Sequence, residues 1–224
     1  MAEPAPARPL RKDAARNREL LVQAAREVFA ERGLEASLDD VAHRAGLGIG
    51  TAYRHFPNKY ELAKAIFAQA IDEIIALAER AAAMDDPWDG IVSFLEGTAE
   101  AQTADRGLRE VLLGVHDDEL VTRVNDRLSA PLRDLVRRAK RSGSLRKDAE
   151  ATDLGLAVMM LCMVADITGD VAPQLWRRYL PMLLDGLRPG GKKLPVPPIG
   201  EDDLRAAMTS HKQRLLRVGQ HRPE

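Results

Sequence analysis

The chain alternates between segments in which apolar residues recur every three or four positions and short polar breaks. In the first such segment, from about Asp13 to Arg32, the apolar residues share one helical face. They are Leu20, Leu21, Ala24, Ala25, Val28 and Phe29. No stretch alternates apolar and polar residues as a half-buried strand does, so the pattern predicts an all-α protein.

Capping residues and breakers predict the helix boundaries that follow. Ser37, with an aspartate three residues later, is typical of a capping box and predicts a short helix that Gly46 ends. A second short helix, from about Ile49 to His55, must stop before Pro57, because a residue that precedes proline avoids the α region. Asn58 is then expected to cap a long helix.

These boundaries predict a small three-helix unit that ends near Pro57 and a larger helical bundle from 58 to 188. Within the bundle, Asp148 is expected to cap an apolar helix that is buried. Residues 1–12 are rich in Ala and Pro and are expected to be disordered. Residues 189–224 begin as a Pro- and Gly-rich linker and are able to form a helix from about 201.

Composition narrows the class of protein. Hydrophobic residues make up 45% and aromatics only 4%, which favours helices over sheets. Cys162 is the only cysteine, so no intramolecular disulfide is expected and a reducing, cytoplasmic location is favoured. No signal peptide and no membrane span is expected. No catalytic constellation or metal-ligand spacing occurs, so we expect neither an enzyme nor a cofactor or metal.

The stretch AGLGIGTAYRHFPNK, from Ala45 to Lys59, contains three closely spaced glycines. A phosphate-binding loop would need a buried strand before them, and the preceding SLDDVAHRA is polar and helical. A helix-turn-helix needs a small residue at the helix crossing and a glycine in the turn, and Ala42 and Gly46 supply both. An ordinary helical hairpin in a core would also favour these residues, so this pattern alone leaves two interpretations open.

The charge around this stretch favours a polyanion as partner. Residues 41–60 contain no acidic residue, and their five basic or imidazole side chains are His43, Arg44, Arg54, His55 and Lys59. Residues 1–64 nevertheless hold 11 Lys and Arg residues against 9 Asp and Glu residues. The positive character is therefore local, and a solvated charged face remains an alternative.

The segment VAHRAGLGIGTAYRHFPNKYELAKAIF resembles the DNA-binding region of the TetR family of bacterial repressors. The matching residues are Val41, Ala42, Ala45, Gly46, Leu47, Gly50, Thr51, Tyr53, His55, Phe56, Asn58, Lys59 and Leu62. The resemblance covers roughly residues 13–67. It departs from the family at Gly48, where a capping Ser or Thr is common. It implies an all-α protein with a disordered basic arm (1–12), a helix-turn-helix DNA-binding domain (13–57), a helical ligand-binding and dimerisation domain (58–188), and a linker and tail (189–224).

By this resemblance, the helix from Ile49 to His55 enters the major groove of double-stranded DNA. Its exposed residues, the start of the next helix and two arginines become candidate contacts. They are Ser37, Tyr53, His55 and Lys59 for phosphates, Ile49, Gly50 and Thr51 at the tip, and Arg44 and Arg54 for bases. Tyr53 could instead pack on the first helix, His55 could cap a carbonyl, and the arginines could simply be solvated.

The resemblance also implies a homodimer, formed by the last two core helices of each subunit, and a pocket for a small-molecule effector. The candidate pocket residues are Trp88, Phe94, Leu112, His116, Met159, Met160 and Met163. Ordinary core packing is an alternative role for each of them, and a monomeric core helix is an alternative to the dimer. Methionine fits such a pocket because it fills irregular gaps and tolerates varied ligands.

The resemblance therefore implies a ligand-responsive transcriptional regulator, and by analogy with the family a repressor. It would act as a homodimer on a pseudo-palindromic operator. The long helix after Asn58 would carry the conformational change, which needs a coupling of only about 1–3 kcal/mol. The alternative is a small-molecule sensor or protein-interaction module that does not act through DNA.

Overall fold

The computed structural model describes the backbone of residues 8–104 and 118–219, with side chains described for 13–33, 35–103 and 126–210. Every regular element in these ranges is helical, which confirms the predicted fold class. The helices are α1 (Arg8–Arg32), α2 (Leu38–Arg44), α3 (Ile49–His55), α4 (Lys59–Ala83), α5 (Pro87–Ala104), α6 (Asp118–Ser142), α7 (Ala151–Thr168), α8 (Trp176–Leu187) and α9 (Glu201–Gly219).

The chain divides into two compact units, and the first comprises Met1–Asp72 and Ala104–Leu120. Its described part holds α1, α2, α3 and the first half of α4. Buried side chains of α4 pack in the same core as those of the three preceding helices. They are Leu62, Ala63, Ile66, Phe67 and Ala70. The unit therefore extends to Asp72, beyond the predicted boundary at residue 57.

Helix α1 begins at Arg8, ahead of the predicted start at Asp13. Residues 8–12, which the sequence assigned to a disordered arm, are therefore helical. Pro9 lies in the first turn, where the missing N–H removes no helical hydrogen bond. The residues that follow it, Leu-Arg-Lys-Asp-Ala-Ala, are mostly good helix formers.

The second unit comprises Glu73–Thr103 and Val121–Glu224. Its described part holds the end of α4, α5, α6 from Val121 onward, α7, α8 and α9. Its largest fully buried side chains come from five of these helices and the turn that follows α6. They are Ile75, Ile91, Phe94, Leu95, Leu135, Leu145, Leu154 and Trp176.

The corner between α4 and α5 is closely packed. A Cβ added to Gly90 would collide with the backbone carbonyl of Ala81 in α4 and lie 2.9 Å from Leu135. Arg138 of α6 donates to the carbonyl oxygens of Ala82, Met84 (2.6 Å) and Asp85 (3.0 Å). These carbonyls lie at the end of α4, where no intrahelical donor remains for them.

The segment after α8 is hydrogen-bonded to the residues that precede α7. Arg146 donates to the carbonyl of Lys192 (2.6 Å), and the amide of Leu194 donates to Asp148 (2.9 Å). Helix α9 begins at Glu201, as the sequence predicts. The prediction that Asp148 caps the apolar helix is wrong: that helix begins at Ala151 behind Glu150, because the Asp148 carboxylate is held by Arg146.

Candidate nucleic-acid interface

The turn between α2 and α3 depends on one glycine. Gly46 has a φ of +67°, a left-handed conformation that side chains other than glycine rarely adopt. Its amide donates to the carbonyl of His43 (3.1 Å), and the amide of Leu47 donates to that of Ala42 (2.9 Å). This pair of bonds is the Schellman arrangement that ends a helix. The predicted role of Gly46 is confirmed.

Two alanines let the helices cross closely. Ala42 of α2 and Ala52 of α3 have no exposed surface, and the partly buried Leu47 packs on the same core from the turn. A larger side chain at either alanine would push the helices apart, since packed interiors leave few voids. Helix α3 spans Ile49–His55, as the sequence predicts.

Ser37 opens α2 with a complete capping box. Its hydroxyl donates to Asp40 Oδ2 (2.6 Å) and accepts from the amide of Asp40 (3.1 Å). The Ser37 amide donates to the same Asp40 oxygen (2.9 Å). The hydroxyl and amide of Ser37, with a smaller contribution from Arg32, lower the pKa of the Asp40 carboxyl. Because the Ser37 proton is engaged here, the structure places Ser37 as a cap and not as an open phosphate donor.

The tip of α3 is bare, as expected from its two glycines. Gly48 is the N-cap, with an extended backbone and no side-chain hydrogen bond. A Cβ at Gly50 would meet nothing within 4 Å, so this position is open. Ile49 and Tyr53 lie on the surface, with 52% and 49% of their area exposed. Tyr53 is therefore not packed into the core beneath α1.

Arg54 folds back along α3 toward this tip. Its Nε donates to the carbonyl of Gly50 (3.1 Å), and its Nη2 donates to Thr51 Oγ1 (3.1 Å). Thr51 accepts in this bond, so its own hydroxyl proton remains available to a phosphate or a base. The structure thus brings Gly50, Thr51 and Arg54 together.

Arg44 is engaged by α1. Its guanidinium binds Glu31 through two nitrogens (2.7 and 3.0 Å) and Glu27 at 3.2 Å. Its hydrogen bonds raise the pKa of Arg44, and the same pairing lowers that of Glu31. Reading a guanine would require Arg44 to leave two carboxylates, so the structure does not support its predicted role as a base reader. Both glutamates lie outside the acid-free stretch from 41 to 60, so the composition of that stretch gave no sign of this pairing.

The start of α4 lies next along the chain. Asn58 Oδ1 accepts from the amide of Glu61 at 3.0 Å, which confirms the predicted cap. Lys59 is the first helical residue, and its Nζ lies 5.8 Å from the ring centroid of Tyr60. Lys59 and His55 are both half-buried. The positive end of the helix dipole and the Lys59 ammonium favour an anion at this point.

A further basic residue belongs to this region. The guanidinium carbon of Arg18, in α1, lies 5.2 Å from the centroid of the Phe56 ring. Phe56 separates His55 from the segment that leads into α4. The sequence places Arg18 only among several basic residues upstream, since an arginine–aromatic contact between residues this far apart has no local signal.

The candidate pocket residues that the structure describes do not line one cavity. Trp88 and Phe94 are buried in the core of the second unit, whereas Met159, Met160 and Met163 are exposed on α7. Leu112 and His116 lie outside the described residues. A groove of about 460 Å³ instead lies on α4 and α5 of this unit. Its lining includes Leu77, Met84, Val92, Asp89, Glu96 and Glu100.

Two features of the described residues bear on other classes of site. In the described part of the chain, no group of His, Cys, Asp and Glu side chains is arranged to hold a metal ion. There, one helix, α7, is long and apolar enough by composition to cross a membrane. A core helix of a globular protein passes the same test, and one face of α7 packs in the core of the second unit.

Comparison with known proteins agrees with this geometry. The family model described as "Bacterial regulatory proteins, tetR family" matches residues 21–66. That described as "Transcriptional regulator SbtR-like, C-terminal domain" matches residues 86–189. An HTH-type transcriptional regulator of Staphylococcus aureus is 37% identical over 67 residues, which are 30% of this chain and 36% of that relative. The chain thus matches about a third of the length of these curated relatives.

Solved structures match over much more of their length. A TetR transcription regulatory protein from Mycobacterium vanbaalenii is 30% identical, with a TM-score of 0.60, over 80% of this chain and 99% of that chain. The TetR family transcriptional regulator PfmR from Thermus thermophilus is 26% identical, with a TM-score of 0.60, over 77% and 97%. Fold and site together define a helix-turn-helix DNA-binding transcriptional regulator. The chain belongs to the TetR family.

Replacing Arg44 with Gln should flatten the acid dependence of stability. Arg44 lowers the pKa of Glu31 in the folded state, so the pairing stabilises the fold fully above the unfolded pKa of Glu31. This contribution is lost as the pH falls through the lowered pKa. Urea unfolding at neutral pH and at about pH 3 measures the loss. The loss should be smaller in Arg44→Gln than in the wild type.

Arg54→Gln is the matched control, because the hydrogen-bond partners of Arg54 are a carbonyl and a hydroxyl. It should keep the acid dependence of the wild type. Equal acid dependence in the wild type and Arg44→Gln would contradict the assigned pairing.

Proposed function

We propose that this regulator is a ligand-responsive repressor that acts in the cytoplasm and binds a pseudo-palindromic operator as a homodimer. The tip of α3 carries the proposal. There, Arg54 is held beside Gly50 and Thr51, and the exposed Ile49 and Tyr53 flank them. This surface offers hydrogen-bond donors and apolar area to a major groove, and Gly50 lets the backbone approach closely.

Arg54 is the proposed base reader. Two of its five N–H donors are used within α3, and the remainder can bind the O6 and N7 atoms of a guanine. The bonds to Gly50 and Thr51 restrict the guanidinium before DNA arrives, so less side-chain freedom is lost on binding. Thr51, Tyr53, His55 and Lys59 are proposed to contact phosphates, which position the helix without reading sequence.

The homodimer would bury an apolar face on α7 and α8. On α7 the exposed residues include Met159, Met160, Met163 and Ile167, and on α8 they include Met182. The opposite face of α7 is packed in the core of its own unit through Leu154, Val158 and Leu161. A second copy of the chain is the proposed cover, because large exposed apolar patches mark interaction sites.

The effector is proposed to be a small molecule bound in the second unit. Thr98 lies in α5 four residues after Phe94, and its hydroxyl is buried with 2% of the residue exposed. That hydroxyl has no hydrogen-bond partner among the described residues. A buried polar group without a partner is costly, and a ligand able to bond with it would relieve that cost. The ligand would release DNA by binding the DNA-incompetent conformer more tightly.

A gel shift with the DNA upstream of its own gene tests the central proposal. The wild type should bind this DNA more tightly than a random duplex of equal length, and salt should weaken both complexes. Lys59→Gln should weaken binding to both duplexes and reduce the slope of log affinity against log salt by about one.

Arg80→Gln, which removes the same charge from an exposed position near the other end of α4, is the control and should bind normally. Absence of any salt-sensitive DNA binding by the wild type would instead favour the sensor or interaction module.

The base preference should depend on Arg54 and not on Arg44. Arg54→Ala should lower the ratio of specific to random binding by roughly five- to 150-fold, since a bidentate arginine–guanine contact contributes about 1–3 kcal/mol of discrimination. Competition between the two duplexes measures this ratio. Arg44→Gln should leave it unchanged, and a larger loss in Arg44→Gln than in Arg54→Ala would reverse the assignment.

The dimer should depend on the exposed face of α7. Met163→Asp should shift the protein from dimer to monomer in sedimentation velocity and weaken operator binding, because a single half-site binds poorly. Met208→Asp changes an exposed methionine of α9 in the same way and should remain dimeric. A wild type that sediments as a monomer, or a dimeric Met163→Asp, would contradict the proposed interface.

A further inference from the structure

We propose that Arg18 of α1 binds the DNA backbone beside His55 and Lys59, which makes α1 part of the DNA interface. This inference rests on the proposed DNA binding and goes beyond the residues that the helix-turn-helix itself supplies. Five basic residues precede the core of α1: Arg8, Arg11, Lys12, Arg16 and Arg18. Among the described side chains, the structure singles out Arg18 by what it contacts.

The Phe56 ring fixes the position of Arg18. Phe56 ends α3 as its C-cap residue and is buried, with 3% of its area exposed. The Arg18 guanidinium carbon lies 5.2 Å from the centroid of this ring. Because the ring is buried, its position is fixed, and the contact restricts where the guanidinium can lie. Phe56 stands between His55 and Lys59 in the sequence, which places Arg18 near these two residues along the fold. Cation–π contacts at exposed sites contribute little to stability, but they restrict the orientation of the cation.

Arg18 also keeps its hydrogen-bonding capacity. A cation–π contact uses the positive charge of the guanidinium and not its N–H donors. Arg18 is exposed, and no carboxylate pairs with it among the described residues. Two other arginines of this unit differ, because Arg32 binds Asp40 and Arg44 binds Glu27 and Glu31.

The resulting arrangement suits a phosphate. A guanidinium presents paired N–H donors that match two phosphate oxygens, which a lysine cannot do. Lys59 begins a helix of 25 residues, and its amide end carries partial positive charge. Arg18 therefore adds a directional contact to a region where the ammonium and the helix terminus supply undirected attraction. A backbone contact of this kind sets the register of the protein on DNA and carries no sequence information.

Binding of Arg18 variants to the DNA upstream of its own gene and to a random duplex tests the inference. Arg18→Gln should weaken both complexes by the same factor, roughly five- to tenfold, and reduce the salt slope by about one. Arg18→Lys should retain the wild-type salt slope, since the charge remains, yet bind more weakly because the paired donors are lost.

Arg16→Gln is the matched control. Arg16 is also exposed, lies two residues away on nearly the opposite face of α1, and loses the same charge. It should bind DNA like the wild type. Equal effects of Arg16→Gln and Arg18→Gln would show a diffuse charge effect and overturn the assignment, as would an unchanged salt slope in Arg18→Gln.

The two proposals fail in different ways. A wild type that binds no DNA overturns the proposed function and this inference together. A wild type that binds DNA, with Arg18→Gln indistinguishable from it, overturns only the role of Arg18. Circular dichroism melting of each variant shows whether weaker DNA binding comes from a lost contact or from lost folding. If Arg18→Gln is unstable, the DNA affinity of Arg18→Lys tests the role of Arg18 in its place.

Discussion

The close crossing of α2 and α3 is the constraint on which the DNA-facing surface depends. Ala42 and Ala52 fill the crossing without exposed surface, and Gly46 turns the chain in a conformation that other residues rarely adopt. Helix α3 has only seven residues and a bare N-cap, so it would not be stable in isolation. Its order comes from packing on α2 and from the core that α1 and α4 complete. The positions of Thr51 and Arg54 follow from that packing.

Four arginines of the first unit have two kinds of contact. Arg44 and Arg32 pair with carboxylates and join α2 to α1, whereas Arg54 and Arg18 contact a helix tip and a ring. All four side chains carry the same charge, and exposed ion pairs contribute little to stability on their own. The described contacts separate these arginines by whether a carboxylate lies within reach: Arg32 and Arg44 have one, and the printed partners of Arg54 and Arg18 are a carbonyl, a hydroxyl and an aromatic ring.

Much of this unit could be predicted from the sequence because its rules are local. The capping box at Ser37, the cap at Asn58 and the turn at Gly46 each follow from residues within a few positions of one another. The pairing of Arg44 with Glu27 and Glu31 could not be predicted, since it joins residues 13 and 17 positions apart. The exposure of the methionines of α7 could not be predicted either. A helix that is apolar nearly all round gives no periodic signal of which face is buried.

The contact between Gly90 and Ala81 has a mechanical consequence. Backbone meets backbone there, with no intervening side chain to compress or rotate, and Arg138 fastens the adjacent carbonyls. Such close packing leaves the start of α5 little room to move against the end of α4.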